Sequence, residues 1–297
     1  MIKSNKKGEK MIKIIVEVGS TVTKIDKVIG EKIEHLQTLT LWLKKNYKKE
    51  NKFLEEDIRT LISKVKELKE KYEEVYVCGT SVFRSLPEEQ REEFLKRFEE
   101  ETGIIFDIIS QEKENELTVI GAAKKVNQKV AVMVGGGGST EISIYDKEIT
   151  EIANSKIGVV DVTNVFPDLA EDIATSDLEE VKKYIKERLN LPKQKADILI
   201  LAGGGHEFFA RYSGVSYEKN TLYEDEREPI MMDIKTRQED TQKYYTEISL
   251  DEIRNRVEDP NWWYATRTMC AFALVVAEEI EAKYIVPTDI SMVYGMI

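Results

Sequence analysis

The stretch Val134-Gly135-Gly136-Gly137-Gly138-Ser139-Thr140-Glu141-Ile142-Ser143-Ile144-Tyr145 decides the reading of this chain. An apolar run from Lys129 to Val134 leads into it as a buried strand. From Glu141 to Tyr145 polar and apolar residues alternate, which is the period of a strand and not of a helix. The glycines therefore sit in a hairpin. Glycine lets backbone amides approach a ligand closely, so the loop reads as a cradle for phosphate. No GxxxxGK[ST] run is present, and a dinucleotide fingerprint would need a helix where the second strand stands. Two further strand-like runs end in similar turns: Ile12 to Val18 at Gly19-Ser20-Thr21, and Ile198 to Ala202 at Gly203-Gly204-Gly205.

Working outward, Ile12–Val18, Val22–Ile29 and Lys32–Leu43 read as three strands, with Gly30 as a turn between the last two. A helical stripe follows at Leu54, Ile58, Leu61, Ile62, Val65, Leu68 and Tyr72. Then come a strand at Val75–Cys78, a helix opened by Pro87-Glu88-Glu89, a strand at Ile104–Ile109 and a helix at Glu112–Lys125. The order restarts at Lys129. Strands end at Val134, Tyr145 and Lys156, a helix covers Leu178–Leu189, and Ile198–Ala202 is a strand. A long helix over Ala265–Ala282 and a strand at Tyr284–Val286 close the chain. The repeat is one of element order, not of sequence, and it predicts two α/β domains, 11–125 and 126–297, joined near Ala122–Lys129. Ser213–Thr246 is polar without a clear period and reads as a surface insertion.

Composition narrows the function. The chain has 297 residues, with Lys plus Arg at 44 and Asp plus Glu at 55, a net charge of −11. That balance argues against broad nucleic-acid binding, which needs a basic footprint. No stretch approaches the ~20 consecutive apolar residues of a membrane span. Cys78 and Cys270 are too few for a disulfide scaffold and read as buried free thiols, which fits a cytoplasmic protein. The first ten residues are basic without an apolar core, and Met11 is a second possible start. With only His35 and His206, a histidine zinc site is not expected; carboxylates and hydroxyls point to a hard cation such as magnesium.

Five segments resemble, in order, the exopolyphosphatase/guanosine pentaphosphate phosphatase family of the actin, sugar-kinase and heat-shock ATPase superfamily. Val16-Glu17-Val18-Gly19-Ser20-Thr21 is similar to its D-x-G-S-N, and Gly79-Thr80-Ser81-Val82-Phe83-Arg84 to its T-S-x-x-R. Ile108-Ile109-Ser110-Gln111-Glu112-Lys113-Glu114-Asn115-Glu116-Leu117 resembles I-I-S-G-x-E-E-A-R-L, and Val134 to Glu141 resembles D-x-G-G-G-S-T-E. Gly203-Gly204-Gly205 matches a later glycine turn, and Ile157 to Thr163 looks like a family segment too. The resemblance covers most of Met11 to Gly205. It implies two ribonuclease-H-like (actin-like ATPase) domains with a cleft between them.

The resemblance also implies roles. Glu114 falls where the family places the carboxylate that activates water, and Glu141 where it positions metal or water; both are catalytic candidates. Arg84, Gly19, Ser20, Thr21, Gly136, Gly137, Gly138, Ser139, Thr140, Gly204 and Gly205 are implied to bind phosphate. Glu17 and Glu141 are implied to meet magnesium. The expected activity is release of terminal phosphate from inorganic polyphosphate or guanosine pentaphosphate, with a homodimer as the family's assembly and with no nucleic-acid or membrane partner. The departures are specific: Glu17 replaces an Asp, Val134 replaces an Asp, Lys113-Glu114 replaces a pair of glutamates, Glu116 replaces an Arg, and Asn261-Trp262-Trp263-Tyr264 replaces an arginine-containing segment. Valine cannot coordinate a cation, so magnesium binding is weakened. A binding protein for a phosphate ligand or alarmone, and an ATP-using member of the superfamily, stand as alternatives; the aromatic cluster reads as packing or as a platform for a base.

Overall fold

The computed structural model describes residues 12–20, 22–214, 218–219, 222–224, 227, 229–256 and 263–297. The basic tail with Met11, the phosphate candidate Thr21, and Asn261-Trp262 lie outside the described residues. The chain divides into one compact unit ending at Glu114, to which Ile297 also belongs, and a second covering Asn115–Met296.

In the first unit β1 (Ile12–Val18), β2 (Val22–Ile29), β3 (Lys32–Thr40), β4 (Glu74–Gly79) and β5 (Phe106–Ile108) form one sheet in the order β3-β2-β1-β4-β5. The first three are antiparallel neighbours; β1–β4 and β4–β5 are parallel. Helices α1 (Leu43–Glu50), α2 (Glu55–Lys71), α3 (Ser81–Arg84) and α4 (Glu88–Thr102) complete it. One face of β1, through Ile14, Val16 and Val18, packs with Ile58, Leu61, Ile62 and Val65 of α2 and with Phe83, Phe94, Phe98 and Phe106. The third strand stops at Thr40, short of the expected Leu43. Trp42, at φ 44°, turns the chain left-handed and Leu43 opens α1 instead. The apolar side chains there are buried, as a strand's would be, so burial alone did not separate the two.

The boundary falls inside α5 (Gln111–Ala123) and not at the expected 125/126. Past Glu114 this helix buries Leu117, Val119, Ala122 and Ala123, and the last three share a core cluster with Val130 and Val132. Gly121 has no room for a side chain: a Cβ there would stand 2.8 Å from the amide nitrogen of Gly295. Most of the helix is thus bolted to the second unit.

That unit holds β6 (Val130–Gly135), β7 (Thr140–Asp146), β8 (Glu148–Ser155), β9 (Ile198–Ala202), β10 (Glu218–Lys219), β11 (Ile230–Asp233) and β12 (Tyr284–Pro287), in the order β10-β11-β12-β9-β6-β7-β8. Its helices are α6 (Val159–Val165), α7 (Leu178–Lys186), α8 (His206–Tyr212), α9 (Ile234–Thr246), α10 (Leu250–Arg254) and α11 (Thr266–Glu279). Reading β6, β7, β8, β9 and β12 as a second set of five, the order β8-β7-β6-β9-β12 repeats that of the first sheet. This is the ribonuclease-H-like topology twice over, as the element order predicts. The surface-insertion reading of Ser213–Thr246 needs correction. The segment contains β11 and α9, and α9 buries Arg237, Asp240, Thr241, Tyr244 and Tyr245. A helix whose buried face is largely polar carries no apolar period to read.

Cys78 and Cys270 are free and buried. Burial pushes the Cys270 thiol up to about 11. Burial, reinforced by the carboxylates of Glu17, Asp107 and Glu114, raises Cys78 further still. Thiol reagents attack the thiolate, so the native protein should resist iodoacetamide at pH 8 and react fully only in denaturant. The same shifts make the fold lose stability as the pH rises past the thiols' ordinary value of 9.0, where unfolded thiols ionise and buried ones do not. A Cys78→Ala, Cys270→Ala pair should lose that alkaline dependence in urea titrations.

Candidate active site

In the first unit two turns lie side by side, because the carboxyl ends of parallel β1 and β4 are neighbours and Val18 stands opposite Gly79. Sites in open α/β sheets form at such ends. The Gly19 amide donates to the Val22 carbonyl at 2.9 Å, and the Thr80 amide donates to the Val18 carbonyl at 3.1 Å, fastening one turn to the other. A Cβ on Gly19 would stand 2.8 Å from the Val22 oxygen, so this turn needs glycine. The hydroxyl oxygens of Ser20 and Thr23 are buried without a hydrogen-bond partner among the described residues. Buried hydroxyls are normally paired, and an anion's oxygens would pair that of Ser20.

From the second turn α3 carries Arg84. Its Nη1 donates to the Ile109 carbonyl at 2.9 Å and to Glu114 Oε2 at 2.7 Å. Both side chains are about a quarter exposed, at 24% and 29%. The Glu114 amide donates to the Ser110 carbonyl at 2.9 Å, so the first turn of α5 holds the carboxylate in place. Two residues that are thirty positions apart in sequence thus form one charged pair. Glu17, on β1, stands opposite Cys78 of β4 and Lys24 of β2. The charges of Glu17 and Glu114 both bear on the Cys78 thiol, which places the two carboxylates around one residue at the end of β4.

In the second unit β6 and β7 form the expected hairpin, with Gly135 opposite Thr140 and Val134 opposite Glu141. The Gly136 amide donates to the Ser139 carbonyl at 2.8 Å. The carbonyls of Gly136 and Gly137 accept from Val159 and Val160 at 3.0 and 2.8 Å, at the start of α6. Thr140 is fully inside and its hydroxyl donates to the Ile157 carbonyl at 2.8 Å, so it ties the loop down. Glu141 is buried at 6% exposure. Ile142 and Ile144, alternating with it, lie in the core on the opposite face.

Gly158, part of the family-like segment Ile157–Thr163, is decisive for this loop. A Cβ there would lie 2.4 Å from the Gly136 oxygen and 2.6 Å from the Gly138 nitrogen. Gly158→Ala should displace the loop at a cost of about 1–3 kcal/mol, lowering the melting temperature and weakening phosphate binding together. Calorimetry on the variant with inorganic phosphate checks both.

β9 runs parallel to β6, and Ala202 stands opposite Val134. The third turn therefore adjoins the glycine loop. Gly203, Gly204 and Gly205 have φ of 118°, 119° and 79°, in the region only glycine adopts readily. The Gly203 amide donates to the Ile290 carbonyl at 2.8 Å. His206 is buried at the start of α8. Trp263 packs with Tyr244, Leu250 and Ile253, which favours the packing reading of the aromatic cluster.

A magnesium ion held by protein alone does not fit these residues. Among the described residues no three Asp, Glu, His or Cys side chains gather in a group able to hold a metal ion. Across from Glu141, where the family resemblance puts a carboxylate, stands Val134. Among the described residues, too, no helix is long and apolar enough to cross a membrane.

Comparison with known proteins agrees with this geometry. The Ppx/GppA phosphatase family matches residues 22–258. No curated protein is matched. The Ppx/GppA enzyme of Aquifex aeolicus is similar in structure, with 20% identity, a TM-score of 0.73, and coverage of 96% of this chain and 98% of that one. An exopolyphosphatase from Cytophaga hutchinsonii is similar at 16% identity and a TM-score of 0.72, covering 96% of each chain. At such identities the likeness establishes the fold, while the family match rests on the sequence itself. With four-fifths of its length matched, the chain belongs to the Ppx/GppA phosphatase family.

Proposed function

We propose that this protein is a phosphohydrolase that releases terminal phosphate from inorganic polyphosphate or from guanosine pentaphosphate. The observation that carries the reading is the Arg84–Glu114 pair beside the Gly79 turn, at 2.7 Å. Hydrolysis of a phosphoanhydride needs donors on the phosphoryl oxygens and an acceptor for the proton of water. Arg84 offers a guanidinium fork suited to two phosphate oxygens, and the amides around Gly19 in the same unit offer further donors; in the second unit the Gly136–Ser139 loop is a phosphate cradle of its own. Glu114 takes the proton from water as its oxygen bonds to phosphorus and the bridging P–O bond breaks, leaving the shortened chain as an anion. In the second unit Glu141, buried on β7, is the other acidic candidate of the reaction. The Gly204–Gly205 turn offers amides beside the glycine loop of its own unit. No step is routed through magnesium, whose site is incomplete at Val134.

A second reading, a binding protein without turnover, is favoured by Val134 and by Glu116, which stands where the family has an arginine. Phosphate release from long-chain polyphosphate, guanosine pentaphosphate and ATP, with magnesium and with chelator, separates the two. Release from one of the first two, with only a modest loss in chelator, supports the proposal. Tight binding with no release supports the second reading. Turnover of ATP alone overturns both.

A further inference from the structure

The first unit carries another set of reactive side chains, on β2 and the edge strand β3. Asp26 and His35 are cross-strand partners in the register of the two strands. His35 Nδ1 lies 2.8 Å from Asp26 Oδ1, and His35 Nε2 lies 3.0 Å from Thr38 Oγ1. In an unbroken strand, residues three apart point to opposite faces. Here the register shifts: Ile25 faces Gln37 while Asp26 faces His35, leaving Leu36 as an extra residue. This bulge brings His35 and Thr38 to one face, and re-aiming a side chain is what bulges beside reactive sites do.

Burial grades the three groups. The Asp26 side chain is 8% exposed and the His35 ring 52%. Thr38 is half-buried. In the tautomer that carries its hydrogen on Nδ1, the ring donates to Asp26 and Nε2 accepts the Thr38 hydroxyl. A buried acid orienting a histidine whose other nitrogen receives a hydroxyl proton is the arrangement that makes a hydroxyl nucleophilic.

We propose that Asp26, His35 and Thr38 form a nucleophilic triad, independent of the phosphate turns, that accepts an acyl group from a small activated ester. The Thr38 oxygen attacks the ester carbonyl and its proton passes to His35 Nε2. The bond to the leaving phenoxide breaks, the phenoxide takes up that proton, and the acyl group stays on Thr38 as an ester. The claim is one acylation per chain, not turnover.

The test uses the full chain and p-nitrophenyl acetate, following nitrophenol release and mapping the acetyl group by peptide mass spectrometry. The expected result is a burst matching the protein present, with the label on Thr38. Thr38→Ser should keep the burst, Thr38→Ala should lose it, and His35→Gln should slow it by about 100-fold, with melting temperatures close to the parent's. Label found only on lysines, or equal Thr38 labelling in the His35→Gln protein, overturns the proposal. So does an absent burst in the folded parent chain. None of these outcomes depends on phosphate release.

Discussion

Glu114→Gln should slow phosphate release by about 10²–10⁴-fold, the range over which a positioned base acts. Substrate affinity should change little. The amide is nearly isosteric with the carboxylate and its oxygen still accepts from Arg84 Nη1, as the 2.7 Å bond requires. The glycine turns are not touched by the substitution. What is lost is the ability to take a proton from water. Steady-state kinetics with the best substrate read this directly, as a fall in kcat with KM nearly constant. A matching loss of binding would make Glu114 a scaffold for Arg84 instead of a base. Arg84→Lys completes the comparison. A lysine keeps the charge but not the fork, so it should raise KM as well as lower kcat.

The largest effect on stability should come from Arg267. It is 1% exposed, inside the second unit. Its Nε donates to the Tyr244 carbonyl at 2.6 Å, Nη1 to that of Glu171 at 2.7 Å, and Nη2 to those of Asp172 and Ile248 at 2.8 and 3.3 Å. One side chain from α11 thus ties together the end of α9, the residues after it and the loop ahead of α7. Burial lowers its pKa, and the carbonyl dipoles compensate the charge. Arg267→Met leaves those carbonyls without donors. Removing one partner of a buried charged network costs about 3–5 kcal/mol, which for a unit of this size lowers the melting temperature by about 10 °C. Arg267→Lys should recover only part of the loss. Urea unfolding of the two variants measures the difference, and an unchanged midpoint in Arg267→Met would contradict the account of this network.

The sequence made the regular elements visible wherever one face is apolar and the other polar. β1, α2 and the β6–β7 hairpin follow directly from that alternation, and the hairpin by itself excludes the dinucleotide fold. α9 stayed hidden because Arg237, Asp240 and Thr241 occupy its buried face. The end of β3 was misplaced because Leu41 and Leu43 are buried on either side of the turn at Trp42. The division of α5 between two units follows from packing partners such as Tyr294 and Gly295, far away in sequence. For the site, the glycine turns were legible as turns. The resemblance gives Arg84 and Glu114 separate roles; their meeting is not legible, since spacing alone cannot join residues on different elements. The role of Gly158 inside the family-like segment is not legible, because a glycine's necessity depends on what approaches it, and here that is the backbone of Gly136–Gly138.

The most direct test is hydrolysis of polyphosphate in ¹⁸O-labelled water, with released phosphate analysed by mass. Attack of water on the terminal phosphorus predicts phosphate carrying a single heavy oxygen, with the signal nearly absent in Glu114→Gln. Polyphosphate and guanosine pentaphosphate both left intact, or a phosphoryl group passed to an acceptor without heavy oxygen entering phosphate, would contradict it.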